Sequence, residues 1–437
     1  MTVHVIGAGL AGCEAAWQLA NAGISVRLYE MKPEKYSPAH KYEGFAELVC
    51  SNSLKAMRVE SAAGLLKEEM RMLDSLIMQC ADECSVPAGG ALAVDRIKFS
   101  DAVTQRIRSH KNIEIVSGEV TQIPEGYVII ATGPLTSDAF ANAIREKCGQ
   151  ETLSFYDAAA PIVSFESIDQ ERVFFAARYD RGDSDYINCP MDKEQYESFV
   201  QELTRAETVE LKAFEQGFTV YEGCMPVEVL AKRGHDAIRY GPLKPVGLRD
   251  PHTGKRPWAV VQLRKENRDG TMYNLVGFQT NLKFGEQKRV FSMIPGLENA
   301  QFVRYGVMHR NTFLDSPRLL DSSFRLKSDP RIFFAGQITG TEGYIESSSS
   351  GIVAGRNLAR ILAGKELIRF PKETMIGALC AYISDESVKQ FQPMGSNMGI
   401  LPPLEEKIKS KQDRYAALSR RSLDRMRQIL EKERVPE

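Results

Sequence analysis

Two cysteines stand where their thiols could act as nucleophiles. Cys224 lies in the segment Tyr-Glu-Gly-Cys-Met-Pro, directly before a stretch with helical spacing over residues 227–233. Cys50 begins the segment Cys-Ser-Asn-Ser-Leu-Lys, whose cap-forming residues predict a second helix. A helix N-terminus favours the thiolate, which is the nucleophilic form of cysteine. The pattern predicts two candidate catalytic cysteines, with packing residues as the alternative.

The remaining cysteines carry no such signal. Cys80 and Cys84 are one helical turn apart, and no second Cys or His pair follows at the spacing of a zinc site. We therefore predict no metal site and interpret the following six residues as packing residues: Cys13, Cys80, Cys84, Cys148, Cys189 and Cys380. Their scattered positions favour reduced thiols and a cytoplasmic location.

A glycine-rich turn near the N-terminus predicts a dinucleotide site. An apolar strand pattern over residues 3–6 leads into Gly-x-Gly-x-x-Gly, and a helix pattern over residues 13–22 follows. The first glycine allows the tight turn, the second lets the backbone approach a pyrophosphate, and the third packs the helix on the strand. A ribose-binding carboxylate is expected at the end of the next strand. The predicted cofactor contacts are Gly7, Ala8, Gly9, Leu10, Ala11, Gly12 and Glu30.

Two later segments favour a flavin at this site. The strand ending in Ala-Thr-Gly at Thr132 and Gly133 resembles the second signature of two-dinucleotide flavoproteins. The segment with Gly336 and Gln337 resembles their later signature, although those proteins usually have Asp after the glycine. These four residues are predicted FAD contacts. No second Gly-x-Gly-x-x-Gly lies between the signatures, so NADPH or NADH would bind transiently without a Rossmann domain of its own.

The order of these patterns gives an α/β fold. A strand–helix–strand unit requires a parallel sheet with a right-handed crossover. The chain then changes to an acidic stretch over residues 151–223 and a basic stretch over 225–310, and the earlier style returns at 331. We predict a Rossmann-type FAD-binding domain like that of two-dinucleotide flavoproteins, interrupted by an inserted mixed α/β domain. The predicted parts are residues 1–157, 158–303 and 304–437.

Four further helices are predicted outside these signatures. Helical spacing covers residues 61–80 and 99–109, a helix follows the four serines from residue 352 to 363, and charged helical sequence begins at residue 405. The chain has 437 residues and a formal net charge of −1, which neither requires nor excludes a nucleic-acid partner. No apolar run reaches the roughly 18 residues of a membrane helix, so no membrane span is predicted.

Basic residues alternate with aromatic ones in the middle of the chain. Cations neutralise phosphates and aromatic rings stack on unpaired bases, so this region is a candidate RNA surface. A solvated charged face is the simpler interpretation. The residues are Lys255, Arg256, Trp258, Arg264, Lys265, Arg268, Tyr273, Lys283, Phe284, Lys288 and Arg289.

Several segments resemble the folate- and FAD-dependent tRNA (uracil-5-)-methyltransferases. They are residues 7–16, 28–33, 45–54, 221–226, 334–340 and 343–347, which together span most of the chain. Gln337, unusual for a general flavoprotein, is the residue that this family shows. Larger relatives that modify wobble uridines carry an additional C-terminal helical domain. A chain ending at Glu437 has no room for that domain, which favours the shorter family.

The resemblance implies a reaction and its partners. A methylene group passes from 5,10-methylenetetrahydrofolate to uracil C5 in the T loop of tRNA, at tRNA position 54, and is reduced by NADPH or NADH through FAD. Cys224 is implied as the nucleophile at C6, and Cys50 as a second thiol that removes the C5 proton. The two roles could be exchanged.

Other functions stay open from the residues alone. The same chemistry could act on a ribosomal RNA uridine, and a related flavin-dependent enzyme could modify another tRNA uridine. A non-enzymatic RNA-binding flavoprotein is the third alternative. The oligomeric state is not predicted.

Overall fold

The computed structural model describes residues 2–149, 153–158, 160–180, 185–209, 225–267, 269–306, 308–388 and 391–434. Within these ranges the strands are β1 (Thr2–Ile6), β2 (Ser25–Glu30), β3 (Ser53–Ala56), β4 (Ser85–Val86), β5 (Ala91–Val94), β6 (Ile113–Ser117), β7 (Val128–Ile130), β8 (Leu153–Ala158), β9 (Ile162–Ser164), β10 (Phe174–Phe175), β11 (Tyr186–Met191), β12 (Ala259–Lys265), β13 (Met272–Leu275), β14 (Phe302–Arg304), β15 (Met308–Phe313) and β16 (Ile332–Phe334).

The helices of the same ranges are α1 (Leu10–Asn21), α2 (Ala62–Met72), α3 (Leu76–Glu83), α4 (Arg96–Ser109), α5 (Asp138–Cys148), α6 (Lys193–Arg205), α7 (Val227–Lys232), α8 (Ala237–Tyr240), α9 (Phe284–Phe291), α10 (Ser316–Leu319), α11 (Tyr344–Leu362), α12 (Met375–Ile383) and α13 (Lys411–Arg434). Among the residues described, no helix has both the length and the apolar character needed to cross a membrane.

A five-stranded parallel sheet positions the glycine turn. Its order is β16-β7-β1-β2-β6, and every neighbouring pair is parallel. Because the carboxyl ends of parallel strands meet at one edge, the turns after β1, β7 and β16 lie side by side. The predicted α/β fold with a Rossmann-type parallel sheet is confirmed.

Close contact between α1 and α11 forms one layer over this sheet. A Cβ added at Gly351 would lie 2.2 Å from the carbonyl oxygen of Ala11, and one at Gly355 would lie 2.8 Å from that of Ala15. Larger side chains at these two positions would push the helices apart. The two glycines therefore set how closely α11 approaches the helix that follows the glycine turn.

A second sheet lies in the middle of the chain. Its six strands have the order β10-β11-β12-β13-β9-β14, and its paired strands are antiparallel. It has its own apolar core, which includes Val261, Leu275 and Phe278. The inserted domain over residues 158–303 remains a prediction. A separate core between residues 163 and 300 supports it.

Outside the Cys50 segment, predicted and observed helices differ most in three places. The helix predicted from residue 405 begins at Lys411, as α13. The stretch 61–80 forms α2 and α3 rather than one helix, because Asp74 has a φ of 56° and the Ser75 hydroxyl caps α3 by accepting from the Met78 N–H. The four serines lie inside α11, which begins at Tyr344. The hydroxyls of Ser348, Ser349 and Ser350 donate to backbone carbonyls three or four residues earlier, which satisfies them within the helix.

Candidate functional site

The glycine turn after β1 has the geometry that its sequence requires. Gly7 has a φ of 99°, and a Cβ at this position would lie 2.7 Å from the Ala131 carbonyl oxygen. A Cβ at Gly12 would lie 1.8 Å from the Gly7 carbonyl oxygen, so only glycine allows this helix–strand contact. A Cβ at Gly9 would meet no protein atom within 4 Å. Gly9 therefore borders open space, where a ligand can approach the backbone.

Glu30 is held in place by the turn itself. One oxygen of its carboxylate accepts the Ala8 N–H at 3.0 Å, and the other accepts the Lys32 N–H at 3.0 Å. The side chain is 8% exposed and lines the same cleft as Gly9. A carboxylate fixed in this way is oriented before any hydroxyl of a ligand reaches it.

The cleft collects nearly all of the predicted cofactor contacts. Gly12 contributes packing instead, as described above. The predicted residues that line the cleft are Gly7, Ala8, Gly9, Leu10, Ala11, Glu30, Thr132, Gly133, Gly336 and Gln337. Four separate segments of the sequence thus form one concave surface.

Two of these segments are held by short polar contacts. The Thr132 hydroxyl lies 2.6 Å from that of Thr136, and the Gly336 N–H donates to the Ser350 hydroxyl at 2.7 Å. Gln337 donates through Nε2 to the Glu342 carboxylate at 2.7 Å, so its amide is oriented by a neighbouring acid.

The donors and acceptors of the cleft suit a flavin dinucleotide. Glu47 and Glu119 line the cleft, and each has a buried carboxylate oxygen without a hydrogen-bond partner within the described residues, although that of Glu47 lies 3.6 Å from the Lys32 ammonium nitrogen. Such acceptors are unfavourable unless a ligand or water donates to them, and the hydroxyls of a dinucleotide can do so. The N–H groups at the start of α1 suit a pyrophosphate. The residues present therefore fit FAD.

Cys50 lies beside this cleft, but no helix follows it. The next element is β3, so the predicted helix is wrong. Asn52 explains the difference. Its side-chain amide donates to the backbone carbonyls of Val94, Lys265 and Glu266, and its own backbone carbonyl accepts from the Val94 N–H. These long-range contacts draw the segment into the β3-β5-β4 sheet instead of a local helix.

Tyr344, at the start of α11, joins the Cys50 segment to the cleft. Its hydroxyl accepts the backbone N–H of Cys50 at 2.7 Å and that of Ser51 at 3.2 Å. The residue also lines the cleft. Burial raises the pKa of Tyr344, and the neighbouring Cys50 thiol adds to this shift. The tyrosine therefore remains a neutral hydroxyl, which can accept both N–H groups.

Three arginines surround the Cys50 segment. Arg96 and Arg304 donate to the Cys50 carbonyl at 3.3 and 3.4 Å, while Arg264 donates to the Ser51 hydroxyl at 2.6 Å and to Asn52 at 3.0 Å. Burial, more than the repulsion between neighbouring cations, lowers the pKa of Arg96. Burial likewise lowers the pKa values of Arg264 and Arg304.

Two carboxylates balance these charges in part. Glu266 pairs with Arg96 and is 2% exposed. Its second oxygen, and the Nε of Arg304, have no hydrogen-bond partner within the described residues. Glu47 is a second carboxylate whose charge acts on Arg304. The three arginines outnumber Glu266 and Glu47, so the segment lies in a positive environment that attracts negative charge. These cations replace the helix N-terminus that the sequence predicted beside Cys50.

The second candidate thiol, Cys224, lies outside the described residues. The next described residue is Met225, and the predicted helix after it is α7, with Pro226 as its N-cap residue. Glu228 anchors this helix by accepting from the Thr280 hydroxyl at 2.9 Å and the Asn281 N–H at 2.8 Å. The helix α7 is therefore attached to the segment between β13 and α9.

The other cysteines lie in apolar surroundings. Cys13, Cys80, Cys189 and Cys380 are buried, and Cys84 and Cys148 are half-buried. Burial raises the pKa of Cys80 to about 12 and that of Cys148 to about 11, which disfavours their thiolates. Among the described residues, no cluster of three His, Cys, Asp or Glu side chains could hold a metal ion.

Sequence reasoning missed most residues around Cys50. Arg264 was placed on a candidate RNA surface, yet it is 7% exposed and contacts Asn52 instead. Arg96, Arg304 and Tyr344 carried no predicted role. Tyr344 and Asn52 lie in segments with a family resemblance, which was the available signal. Nothing local in the sequence marks Arg96 or Arg304, because both meet Cys50 through tertiary contacts.

Comparison with known proteins identifies close relatives. The family model described as "Glucose inhibited division protein A" matches residues 2–366. The chain is 60% identical over 431 residues to "Methylenetetrahydrofolate--tRNA-(uracil-5-)-methyltransferase TrmFO" of Acetivibrio thermocellus, a match covering 98% of this chain and 99% of the relative. It is 56% identical over 430 residues to the protein of the same name from Listeria monocytogenes, again covering 98% and 99%.

A solved structure shares the fold. The chain superposes on Aquifex aeolicus GidA (form II crystal) with a TM-score of 0.71 at 16% identity, covering 98% of this chain and 73% of that one.

Proposed function

The chain belongs to the methylenetetrahydrofolate--tRNA-(uracil-5-)-methyltransferase family, and from that premise we propose how its site works. It is a folate- and FAD-dependent tRNA uracil-5-methyltransferase. We propose that its target is the T-loop uridine at tRNA position 54, that 5,10-methylenetetrahydrofolate donates the carbon, and that NADPH or NADH is the reductant. We expect the methylation to take place in the cytoplasm, with tRNA as the substrate.

The observation that carries the proposal is the link between the cleft and the thiol. Tyr344 lines the dinucleotide cleft and accepts a hydrogen bond from the Cys50 backbone at 2.7 Å. A cofactor in the cleft and a base held at Cys50 would therefore be neighbours. Such a base must leave its stack to reach the thiol, as in other enzymes that act on nucleobases.

The chemistry explains why thiols are needed. Uracil C5 is a weak nucleophile, but addition of a thiolate sulfur to C6 moves the C5–C6 π electrons into an enolate that can attack the methylene carbon from C5. A base then removes the C5 proton while the bond between the transferred carbon and its folate nitrogen breaks with the electron pair on nitrogen, which leaves an exocyclic methylene group at C5. Hydride adds to this methylene carbon, the C5–C6 double bond re-forms, and the C6–S bond breaks with its electron pair on sulfur. When bound, FAD would supply that hydride.

We assign these steps to the two candidate thiols. Cys224 adds to C6, and Cys50 removes the C5 proton. The arginines around Cys50 hold its segment in place and attract the negative charge that develops on the base. The exchanged assignment is the alternative, and it predicts a different trapped species.

A covalent-trapping experiment separates the two assignments. A Cys50→Ser variant would still form the sulfur–C6 bond and accumulate an RNA–protein adduct on a denaturing gel, whereas Cys224→Ser would form none. The reverse pattern would exchange the roles. Loss of the adduct in both variants would show that neither residue acts only in removing the C5 proton.

The cofactor proposal rests on the cleft. Glu30 and the N–H groups of the glycine turn would hold the adenosine and pyrophosphate portions, and the turns at Thr132 and Gly336 would contact the rest. NADPH or NADH would bind transiently, because the chain has one Gly-x-Gly-x-x-Gly turn and the FAD uses it.

The test of the function is direct. Purified protein loaded with FAD is incubated with 5,10-methylenetetrahydrofolate, NADPH or NADH, and tRNA that lacks 5-methyluridine. We expect 5-methyluridine at position 54, detected by nucleoside mass spectrometry and sequencing. A flavin-loaded protein that forms no product would overturn the proposal. Ribosomal RNA in a parallel reaction is expected to stay unmethylated.

A further inference from the structure

A second groove lies on the six-stranded sheet, apart from the dinucleotide cleft. It runs between the loop before β12, the end of β11 and the segment that follows α8. The residues that matter are Arg239, Tyr240, Lys244, Lys255, Arg256 and Trp258. The methylation chemistry uses none of them.

The groove carries positive charge that the protein does not neutralise. Lys244, Lys255 and Arg256 are exposed, and none has a carboxylate within 4 Å among the described residues. Three acids also line the groove, and two of them accept hydrogen bonds from backbone N–H groups. Asp250 accepts the His252 N–H at 2.9 Å, and Asp192 caps α6. Glu171 is the third acid. Unpaired cations of this kind attract phosphate groups.

An aromatic platform stands beside these cations. The Arg239 guanidinium lies 3.8 Å from the ring centroid of Trp258, and its Nε donates to the Trp258 carbonyl at 2.9 Å. Stacking and hydrogen bonding together fix the plane of the guanidinium. The adjacent Tyr240 ring is 75% exposed, which is unusual for so large a side chain. An exposed ring next to fixed cations suits an unpaired base.

β12 joins this groove to the Cys50 segment. Trp258 directly precedes the strand, and Arg264 near its other end donates to the Ser51 hydroxyl. At about 3.3 Å per residue, the six residues from Trp258 to Arg264 span roughly 20 Å. That length exceeds one nucleotide. An RNA that reacts at Cys50 and extends along β12 would place other nucleotides in the groove.

We propose that this groove binds the tRNA substrate away from its reacting uridine. Lys244, Lys255 and Arg256 contact phosphates, and one unpaired base stacks on Tyr240. This inference rests on the proposed function, because it assigns the partner of the same enzyme to a second surface.

Charge removal tests the phosphate contacts. The Lys255→Ala/Arg256→Ala double variant, loaded with FAD, is titrated with unmodified tRNA at several salt concentrations. We expect the logarithmic salt dependence of tRNA affinity to become shallower by about 1.4 to 1.8, since each lost phosphate contact removes roughly 0.7 to 0.9. KM for tRNA should rise, while kcat at saturating tRNA and the flavin content should stay at wild-type values.

A matched variant controls for loss of charge alone. Lys111→Ala/Lys365→Ala removes two exposed lysines that lie before β6 and after α11, at the edge of the parallel sheet opposite the cleft. Its tRNA affinity and salt dependence are expected to equal those of the wild type. The same affinity and slope in both double variants would overturn the phosphate contacts.

A second pair of variants tests stacking. Tyr240→Ala should weaken tRNA binding by roughly 5- to 140-fold, whereas Tyr240→Phe, which keeps the ring, should bind as the wild type does. Equal affinity of the alanine and phenylalanine variants would overturn the stacked base. A wild-type protein that methylates tRNA while the groove variants match it refutes this inference alone. A wild-type protein that neither binds nor methylates tRNA refutes the proposed function with it.

Discussion

The hydroxyl of Tyr344 accepts the backbone N–H of Cys50 at 2.7 Å. This hydrogen bond fixes the segment that carries the thiol against the first residue of α11, whose side chain lines the dinucleotide cleft. The relationship makes the position of Cys50 depend on a residue of the FAD-binding part of the chain.

Removing the Tyr344 hydroxyl should therefore slow methylation without loss of the cofactor. Tyr344→Phe keeps the ring in the cleft and deprives the Cys50 and Ser51 N–H groups of their acceptor. If the lost hydrogen bonds raise the activation free energy by about 1 to 2 kcal/mol, the rate of 5-methyluridine formation should fall roughly 5- to 30-fold at unchanged flavin content. Tyr382→Phe, which removes a hydroxyl bonded to the Gln392 carbonyl, is the matched control. Equal loss in the two variants would contradict the expectation.

Arg264 should act through the shape of its guanidinium rather than its charge. Arg264→Lys keeps a cation but cannot bind Ser51 and Asn52 together. We expect kcat to fall roughly tenfold or more, with tRNA affinity and flavin content retained. The control is Arg331→Lys, an exposed arginine paired with Asp329, which should leave kcat unchanged. A wild-type kcat in Arg264→Lys would show that the simultaneous contact of the guanidinium with Ser51 and Asn52 is dispensable.

Gly9 and Gly12 should fail in different ways when changed to alanine. The Cβ of Gly12→Ala would lie 1.8 Å from the Gly7 carbonyl oxygen, so this variant should lose thermal stability even without cofactor. Gly9→Ala meets no protein atom within 4 Å and has an extended backbone, so the flavin-free protein should keep its Tm. Its FAD affinity should fall roughly tenfold or more, because the methyl group enters the cleft. Gly90→Ala, at an open position outside the cleft, should change neither quantity.

Glu69 should make stability depend on pH. Burial raises its pKa to about 7, although it accepts N–H groups of Met375 and Ile376. The folded protein then holds a proton that the unfolded chain releases from about pH 4.5 upward, so the free energy of unfolding falls as pH rises from about 4.5 to 7.

The Glu69→Gln variant cannot titrate at this position. Its stability relative to the wild type should improve by up to roughly 1 kcal/mol per pH unit between pH 5 and 7, measured by urea unfolding. Glu68→Gln on the same helix is the control. Wild-type and Glu69→Gln stabilities that change in parallel would refute the buried proton.

Local sequence rules predicted the elements that local contacts determine. The glycine turn, α1 and Glu30 follow from spacing within 30 residues, and the structure brings them together as the β–α–β pattern requires. Cys50 is the contrasting case. Its capping residues indicated a helix, but Asn52 and Arg264, 212 residues apart in sequence, bind each other and place the segment at a sheet. No local pattern records such a contact.

Burial was the other property that sequence could not supply. The position of Arg264 beside Lys265 in a basic stretch indicated a surface cation. Arg264 is instead only 7% exposed and contacts Ser51, next to Cys50. The serines of α11 indicated a helix start because serine favours that position, whereas their hydroxyls bond within the helix. In both cases tertiary or helical contacts, rather than the residue type, determine which groups the side chain bonds.

The position of β12 inside its sheet has a consequence for substrate choice. Hydrogen bonds to β11 on one side and β13 on the other prevent its two ends from moving independently. If tRNA binds at Trp258 and reacts beside Arg264, β12 holds the two sites at a fixed distance from each other. The enzyme would then accept RNAs by their dimensions, and inserting or deleting a nucleotide between the gripped segment and the target uridine would exclude an RNA whose T-loop sequence is otherwise correct.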